Sequence, residues 1–217
     1  MSTRFDIITT PILGLNLLQR TLIGDSRGYL ERLFCSEELK SLIPGKNIMQ
    51  INHTLTEKVG TVRGMHFQHP PYAETKFVSC LRGEVFDVAV DLRHGSPTFL
   101  HWHAERLSAV NHKTFVIPEG FAHGFQALTD DCEMLYLHTA AHQANAEGGL
   151  NTEDPKLAIA WPLPVAGLSP RDAAHPYLNS DFTGVVKQRY THGDAFILWD
   201  RIEHAGGGQH HIDHLSF

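Results

Sequence analysis

Lys76-Phe77-Val78-Ser79-Cys80-Leu81-Arg82-Gly83-Glu84-Val85-Phe86-Asp87-Val88-Ala89-Val90-Asp91 reads as two strands meeting at a glycine. Val85 to Val90 alternates only weakly between apolar and polar, which suits a central strand covered on both faces. Outward from this pair, similar runs recur at near-regular spacing: Gly28 to Cys35, Ile48 to Thr54, Val62 to Gln68, Phe99 to Leu107, Lys113 to Ile117, Phe121 to Leu128 and Glu133 to Thr139. Many short strands with few helical periods between them predict an all-β sandwich or barrel. Ile117-Pro118-Glu119-Gly120 reads as a type I turn, with proline second and glycine fourth. Two short helices are expected. Ser36 caps the first, with Glu37 and Glu38 in its favourable first turn. Ser169 caps the second, with Pro170 at the first helical position.

The 217 residues suffice for one large β domain, and 42% apolar composition is ordinary for a globular protein. After Leu150 the prolines of Asp154-Pro155 and Trp161-Pro162-Leu163-Pro164 mark loops. The expected organisation is a domain over residues 1–180 followed by a C-terminal extension over 181–217. That extension carries an apolar patch, Phe196 to Trp199, and a glycine- and histidine-rich end with His204, His210, His211 and His214. A net charge of −6 argues against a general nucleic-acid binder, so an anionic ligand must meet a local basic pocket. Cys35, Cys80 and Cys132 show no paired spacing and read as reduced thiols of a cytoplasmic protein. No apolar run is long enough to span a bilayer.

The chemistry concentrates around Gly60-Thr61-Val62-Arg63-Gly64-Met65-His66-Phe67-Gln68. A histidine titrates near neutrality, so on a strand facing a pocket it can move protons. Alternation puts Gly64, His66 and Gln68 on one face, and a glycine-assisted bulge would bring Arg63 round to His66. Lys76, after the turn at residues 69–74, can return alongside. On the strand from Glu133, residues Met134, Tyr136 and His138 share a face. Each residue alone has a plain structural reading: His66 as a hydrogen-bonded core histidine, Tyr136 as a barrel-filling aromatic, Asp172 as a capping-box acid.

Their linear order is far more specific. Arg27-Gly28-Tyr29-Leu30-Glu31, Gln50-Ile51-Asn52-His53, Arg63 to Gln68, Lys76-Phe77-Val78, Gly83 to Arg93, Ser96 to Phe99, Ile117 to Phe125 and Leu168 to Ala174 form a series. The series closely resembles the dTDP-4-dehydrorhamnose 3,5-epimerase family of cupin-type jelly rolls, over roughly residues 10–178. The resemblance implies two antiparallel sheets with a few short helices, and a cofactor-free, metal-free epimerase acting beside a ketone. His66 would be the base, Asp172 its orienting partner, Tyr136 the proton donor and Lys76 the stabiliser of the enolate oxygen. Arg63, His123, His142 and Arg171 would line the same pocket. Arg27, Glu31, Gln50 and Asn52 would hold the nucleotide diphosphate, some of them across the interface of a homodimer.

The chain departs from the family pattern at Ile51, where an aspartate is usual, and at Leu137 and Ala141-His142, where a lysine and a tyrosine are usual. Losing that aromatic wall removes a stacking surface and opens room beside the sugar. A dTDP-linked 4-keto-6-deoxyhexose is the leading substrate, ahead of a CDP- or GDP-linked relative or inversion at a single carbon. A metal-dependent cupin needs His-x-His where this chain has His66-Phe67-Gln68. A non-catalytic sugar-nucleotide binding module is the remaining alternative.

Overall fold

The computed structural model describes residues 3–186, so Phe196 to Trp199 and the histidines beyond them lie outside the described residues. Thirteen strands, two short α-helices and one 3-10 turn (Ala144–Ala146) are found among the described residues. They are β1 (Phe5–Thr9), β2 (Asn16–Arg20), β3 (Leu22–Asp25), β4 (Gly28–Glu31), α1 (Ser36–Leu39), β5 (Gln50–Thr56), β6 (Val62–Gln68) and β7 (Lys76–Arg82). Then follow β8 (Glu84–Asp91), β9 (Trp102–Ser108), β10 (Lys113–Ile117), β11 (Phe121–Ala127), β12 (Cys132–His138), β13 (Glu147–Gly149) and α2 (Pro170–Ala173).

A six-stranded sheet in the order β1-β2-β10-β7-β12-β5 faces a five-stranded sheet in the order β13-β6-β11-β8-β9. Every ladder between these strands is antiparallel. This is the expected two-sheet jelly roll. The alternating inward positions of both sheets fill the space between them: Val78, Phe115, Ile117 and Met134 from one, Val85, Ala89, Leu107 and Phe125 from the other. The weakly alternating β8 is covered on both sides, as its sequence requires. Its Val85 and Ala89 join the inner core, while Val88 and Val90 pack outward with Met65, Leu150, Leu157 and Leu178 of the C-terminal loops. The outer face of the six-stranded sheet is covered likewise, Phe77, Val116 and Leu137 packing with Leu39 and Ile43.

Several boundaries differ from the expectation. The run from Gly28 is strand only to Glu31, in an exposed hairpin with β3. Helix α1 begins at Ser36 itself, so Cys35 occupies the cap and no side chain caps it. The turn near Pro118 is centred on Glu119 and Gly120, one residue later than a type I turn at Ile117 would be, and Gly120 adopts φ +82°. Helix α2 is as expected: Ser169 caps it and Pro170 opens it.

Candidate active site

A cavity of about 650 Å³ opens between the two sheets, lined from β5, β6, β7, β11, β12 and α2. Its shape is set by one irregularity. In the β6–β11 ladder His66 pairs with His123 and Arg63 with Phe125, so Gly124 alone faces both Gly64 and Met65. The extra residue is the bulge that alternation calls for, and it brings Arg63 into the cavity beside His66. Two glycines make it possible. A Cβ on Gly64 would lie 2.5 Å from the Gly124 Cα, and one on Gly124 would lie 2.8 Å from the Arg63 carbonyl oxygen.

Asp172 reaches the cavity from α2. Its N–H donates to Ser169 Oγ at 3.0 Å, so the backbone does close the helix cap. The carboxylate does not turn back to that cap. Its Oδ1 lies 2.8 Å from His66 Nε2, and the Gly64 N–H donates to Oδ2 at 3.4 Å. Burial pushes the Asp172 carboxyl up, but the hydrogen bond and charge of His66, with the Gly64 and Ser169 contacts, outweigh it and hold the group below its ordinary range. Burial lowers the His66 ring below 6.5; Asp172 pulls it back up, and the charges of Arg171 and Lys76 add to the lowering. The ring is therefore neutral at pH 7. Arg171 Nη2 also lies 3.2 Å from Nε2; with the Nε2 proton assigned to the shorter bond to the carboxylate, Nδ1 carries the free lone pair.

Lys76, nearly buried, donates to the His66 carbonyl at 3.4 Å and pairs with Glu74 Oε1 at 3.3 Å. The other oxygen of Glu74 accepts from His138 Nδ1 at 2.9 Å. Tyr136 stands edge-on to the His123 ring and stacks on His138, with ring centroids 6.1 Å apart in both cases. Burial and the nearby Asp87 charge push its hydroxyl well above the usual phenol range, so it stays protonated and able to donate. His123 Nε2 is 2.9 Å from Asp87 Oδ1, and Asp87, wholly buried, is itself pushed up despite this partner. At the mouth, Glu147 Oε2 takes a bond from Arg171 Nη1 at 2.9 Å and lies 3.3 Å from His142 Nε2. Arg63 lies along the wall, held by Thr56 Oγ1 and the Leu55 carbonyl.

The structure thus gathers His66, Lys76, Tyr136, Asp172, Arg63, Asn52, His123, His142 and Arg171 around one cavity. It does not bring Arg27, Glu31 or Gln50 into that cavity. Arg27 is exposed and pairs with Asp25, while Glu31 is drawn to Arg20 at 2.6 Å and His112 at 3.0 Å. Gln50 sits at the rim, donating to Asn52 and accepting the His142 N–H. Gln68 spends its amide on the surrounding loops: Nε2 donates to the Tyr72 carbonyl and Oε1 accepts the Gln143 N–H. Sequence reasoning assigned no role to Glu74, Glu147 or Asp87, which neutralise the cavity's cations and imidazoles. Of the unassigned groups only His138 carried a signal, since alternation places it beside Tyr136.

A neutral imidazole comes from the five-stranded sheet, a protonated phenol from the six-stranded sheet, and an ammonium bonds the backbone carbonyl of the residue that bears the imidazole. Such a site can remove a proton from one face of a ligand and return one to the other.

The family model described as dTDP-4-dehydrorhamnose 3,5-epimerase matches residues 9–180. A dTDP-4-dehydrorhamnose 3,5-epimerase of Salmonella typhimurium is 40% identical over 175 residues, covering 80% of this chain and 95% of its own. A dTDP-4-dehydrorhamnose 3-epimerase of Streptomyces niveus is 45% identical over 113 residues, 52% of this chain and 55% of its own. Among solved structures, the dTDP-6-deoxy-D-glucose-3,5-epimerase of Legionella pneumophila in complex with dTDP-4-keto-L-rhamnose superposes with a TM-score of 0.78 at 36% identity. It covers 85% of this chain and 100% of that one.

Proposed function

Because the chain belongs to the dTDP-4-dehydrorhamnose 3,5-epimerase family and so to the isomerases, we propose that it inverts C3 and C5 of a dTDP-4-keto-6-deoxyhexose in deoxysugar biosynthesis. The observation that carries this reading is the placement of His66, paired with Asp172 at 2.8 Å, and Tyr136 on opposite sheets around one cavity. The keto group at C4 acidifies the hydrogens on its neighbouring carbons. His66 Nδ1 takes such a proton, and Asp172 stabilises the imidazolium that forms. Lys76 offsets the negative charge growing on the enolate oxygen, an effect strengthened by its nearly buried position. Tyr136 then delivers a proton to the other face, which inverts the carbon. Arg63, His123, His142 and Arg171 shape the sugar pocket.

The same reading makes the protein a cytoplasmic homodimer, with residues 1–180 as the epimerase domain and 181–217 as an extension. Arg27, Glu31, Gln50 and Asn52 hold the nucleotide diphosphate, Arg27 and Glu31 from a hairpin that lies outside the cavity of a single chain. That hairpin leaves Leu22, Ile23, Tyr29 and Leu30 exposed, an apolar surface suited to a second copy. A monomeric mass by light scattering would remove the dimer from this reading. A second reading, inversion at C3 alone, is favoured by the likeness to the 3-epimerase of Streptomyces niveus and by His142, which lines the cavity where an aromatic wall is missing from the sequence Ala141-His142.

Incubation with dTDP-4-keto-6-deoxyglucose in deuterated water tests the proposal. Deuterium is expected at C3 and C5, or at C3 only under the second reading, and its absence from both carbons would refute catalysis on this substrate. The variant His66→Ala is expected to abolish exchange at both carbons while dTDP binding persists.

A further inference from the structure

His175 follows α2 by two residues and has no part in the reaction proposed above. Its ring is pressed onto β13, where a Cβ on Gly149 would lie 2.1 Å from it. Nε2 of this ring is buried and has no hydrogen-bond partner, an unfavourable condition for a polar atom removed from water. It sits 3.9 Å from Asp172 Oδ1, beyond hydrogen-bonding distance, and the ring stands edge-on to His66 at 5.8 Å. One ring nitrogen each from His66 and His175 and one carboxylate oxygen of Asp172 all fall within 4.8 Å of each other.

We infer that His66, Asp172 and His175 form an inhibitory site for a divalent transition-metal ion of the Zn²⁺ type. Two imidazoles and one carboxylate are a donor set that suits zinc and its neighbours and not magnesium or calcium. A tetrahedral ion with bonds of about 2.0–2.1 Å separates its donors by roughly 3.3 Å. The separations of 2.8 Å from Asp172 to His66 and 3.9 Å from Asp172 to His175 bracket that value, and the two imidazole nitrogens lie within 4.8 Å of each other, so the three donors already stand near the spacing an ion needs. The buried, unpartnered nitrogen of His175 gains the partner it lacks. Arg171 opposes the ion, since its Nη2 lies 3.2 Å from His66 Nε2. Its side chain is 57% exposed and already bonded to Glu147, so it has solvent to move into.

Occupation disables the base through its tautomer. The ion takes Nε2 of His66, the single proton of the neutral ring moves to Nδ1, and the lone pair used for proton abstraction is gone. This inhibitory consequence rests on the reading of His66 as the base, whereas binding of the ion does not.

The test uses the full chain, stripped with chelator and carrying alanine at His204, His210, His211 and His214 so that the histidine-rich end contributes no ligand. Co²⁺ is titrated by visible absorption, Zn²⁺ by calorimetry, and deuterium exchange into the substrate is followed against Zn²⁺ with Mg²⁺ as control. Each variant is normalised to its own metal-free activity. One ion per chain and loss of exchange with micromolar Zn²⁺ are expected, with no effect of Mg²⁺. The variant His175→Gln should raise both the dissociation constant and the half-inhibitory concentration roughly tenfold or more, and His175→Cys should retain binding. Absence of Co²⁺ ligand-field bands in the chain with His175 intact overturns the site whatever the variants do, as does Zn²⁺ affinity unchanged by His175→Gln. Binding that depends on His175 yet leaves exchange intact would overturn His66 as the base while the site stands.

Discussion

Replacing Asp172 by asparagine removes one charge and almost no volume, and its effect can be sized from the geometry. His66 Nε2 and Asp172 Oδ1 are 2.8 Å apart, and the carboxylate is 95% shielded, its side chain being 5% exposed. As the ring accepts a proton, a positive charge grows beside that carboxylate. Charge centres about 4 Å apart at an effective dielectric of about 20 attract by about 4 kcal/mol. Losing roughly 3–4 kcal/mol from the transition state lowers kcat by about 10²–10³-fold. The amide also accepts two orientations, one of which donates to Nε2 and drives the ring proton to Nδ1, which deepens the loss. Stopped-time assays of epimerisation and of deuterium wash-in should fall together by that factor, while dTDP affinity measured by calorimetry stays within about twofold. Asp172 also raises the His66 pKa, so the residual activity should keep its acid limb to lower pH than the parent. A folded variant that loses less than tenfold, or that loses dTDP affinity in the same proportion, would refute the orienting role.

Three further outcomes follow from the same geometry. Tyr136→Phe should leave exchange at the acidified carbon running while inversion fails, because deprotonation needs only the base; simultaneous loss of both, by NMR of the recovered sugar, would reverse the division of roles. Arg171 lowers the His66 ring, so Arg171→Gln should move the acid limb of kcat/KM to higher pH, opposite in sign to Asp172→Asn, and an unmoved or reversed limb in a pH–rate profile would count against the electrostatic reading. Gly124→Ala places a Cβ 2.6 Å from Met65 Sδ and 2.8 Å from the Arg63 carbonyl, and should cost about 1–3 kcal/mol in denaturant unfolding together with most of the activity, since the β6 bulge carries His66.

Much of the fold is legible in the chain because strand signals are local. Val62–Gln68, Lys76–Arg82 and Lys113–Ile117 coincide with their expected bounds, and the others are strands to within a few residues. The failures have local causes. Gly28 to Cys35 carries β-forming residues, but after Glu31 it finds no partner strand and the ladder ends. Helix α1 starts where Ser36 would have capped it, because its cap position fell one residue earlier. The bulge at Gly64 was readable since alternation left Arg63 on the wrong face, and a glycine stood where the chain could correct it. The buried acids were not readable. Nothing in the run Glu84 to Asp91 distinguishes Asp87, which meets His123 in the interior, from Asp91, which folds back on Arg93, Ser96 and Thr98.

What the sequence by itself determined is nine of the strands, both short helices and the family, and it singled out His66, Tyr136 and Lys76 as candidates, because each rests on residue type and order along the chain; β1, β2, β3 and β13 carried no run that stood out. Tertiary structure decided what those residues do to one another. Asp172 read equally well as a capping acid or as the partner of His66, 106 positions away, and only packing of α2 against β6 sent its carboxylate to the ring while its N–H closed the cap. The folded chain likewise left Arg27 and Glu31 outside the cavity and placed His175 behind the dyad with a nitrogen unpaired. Such outcomes depend on distances between segments remote in sequence and on burial, neither of which has a signature in the order of residues alone.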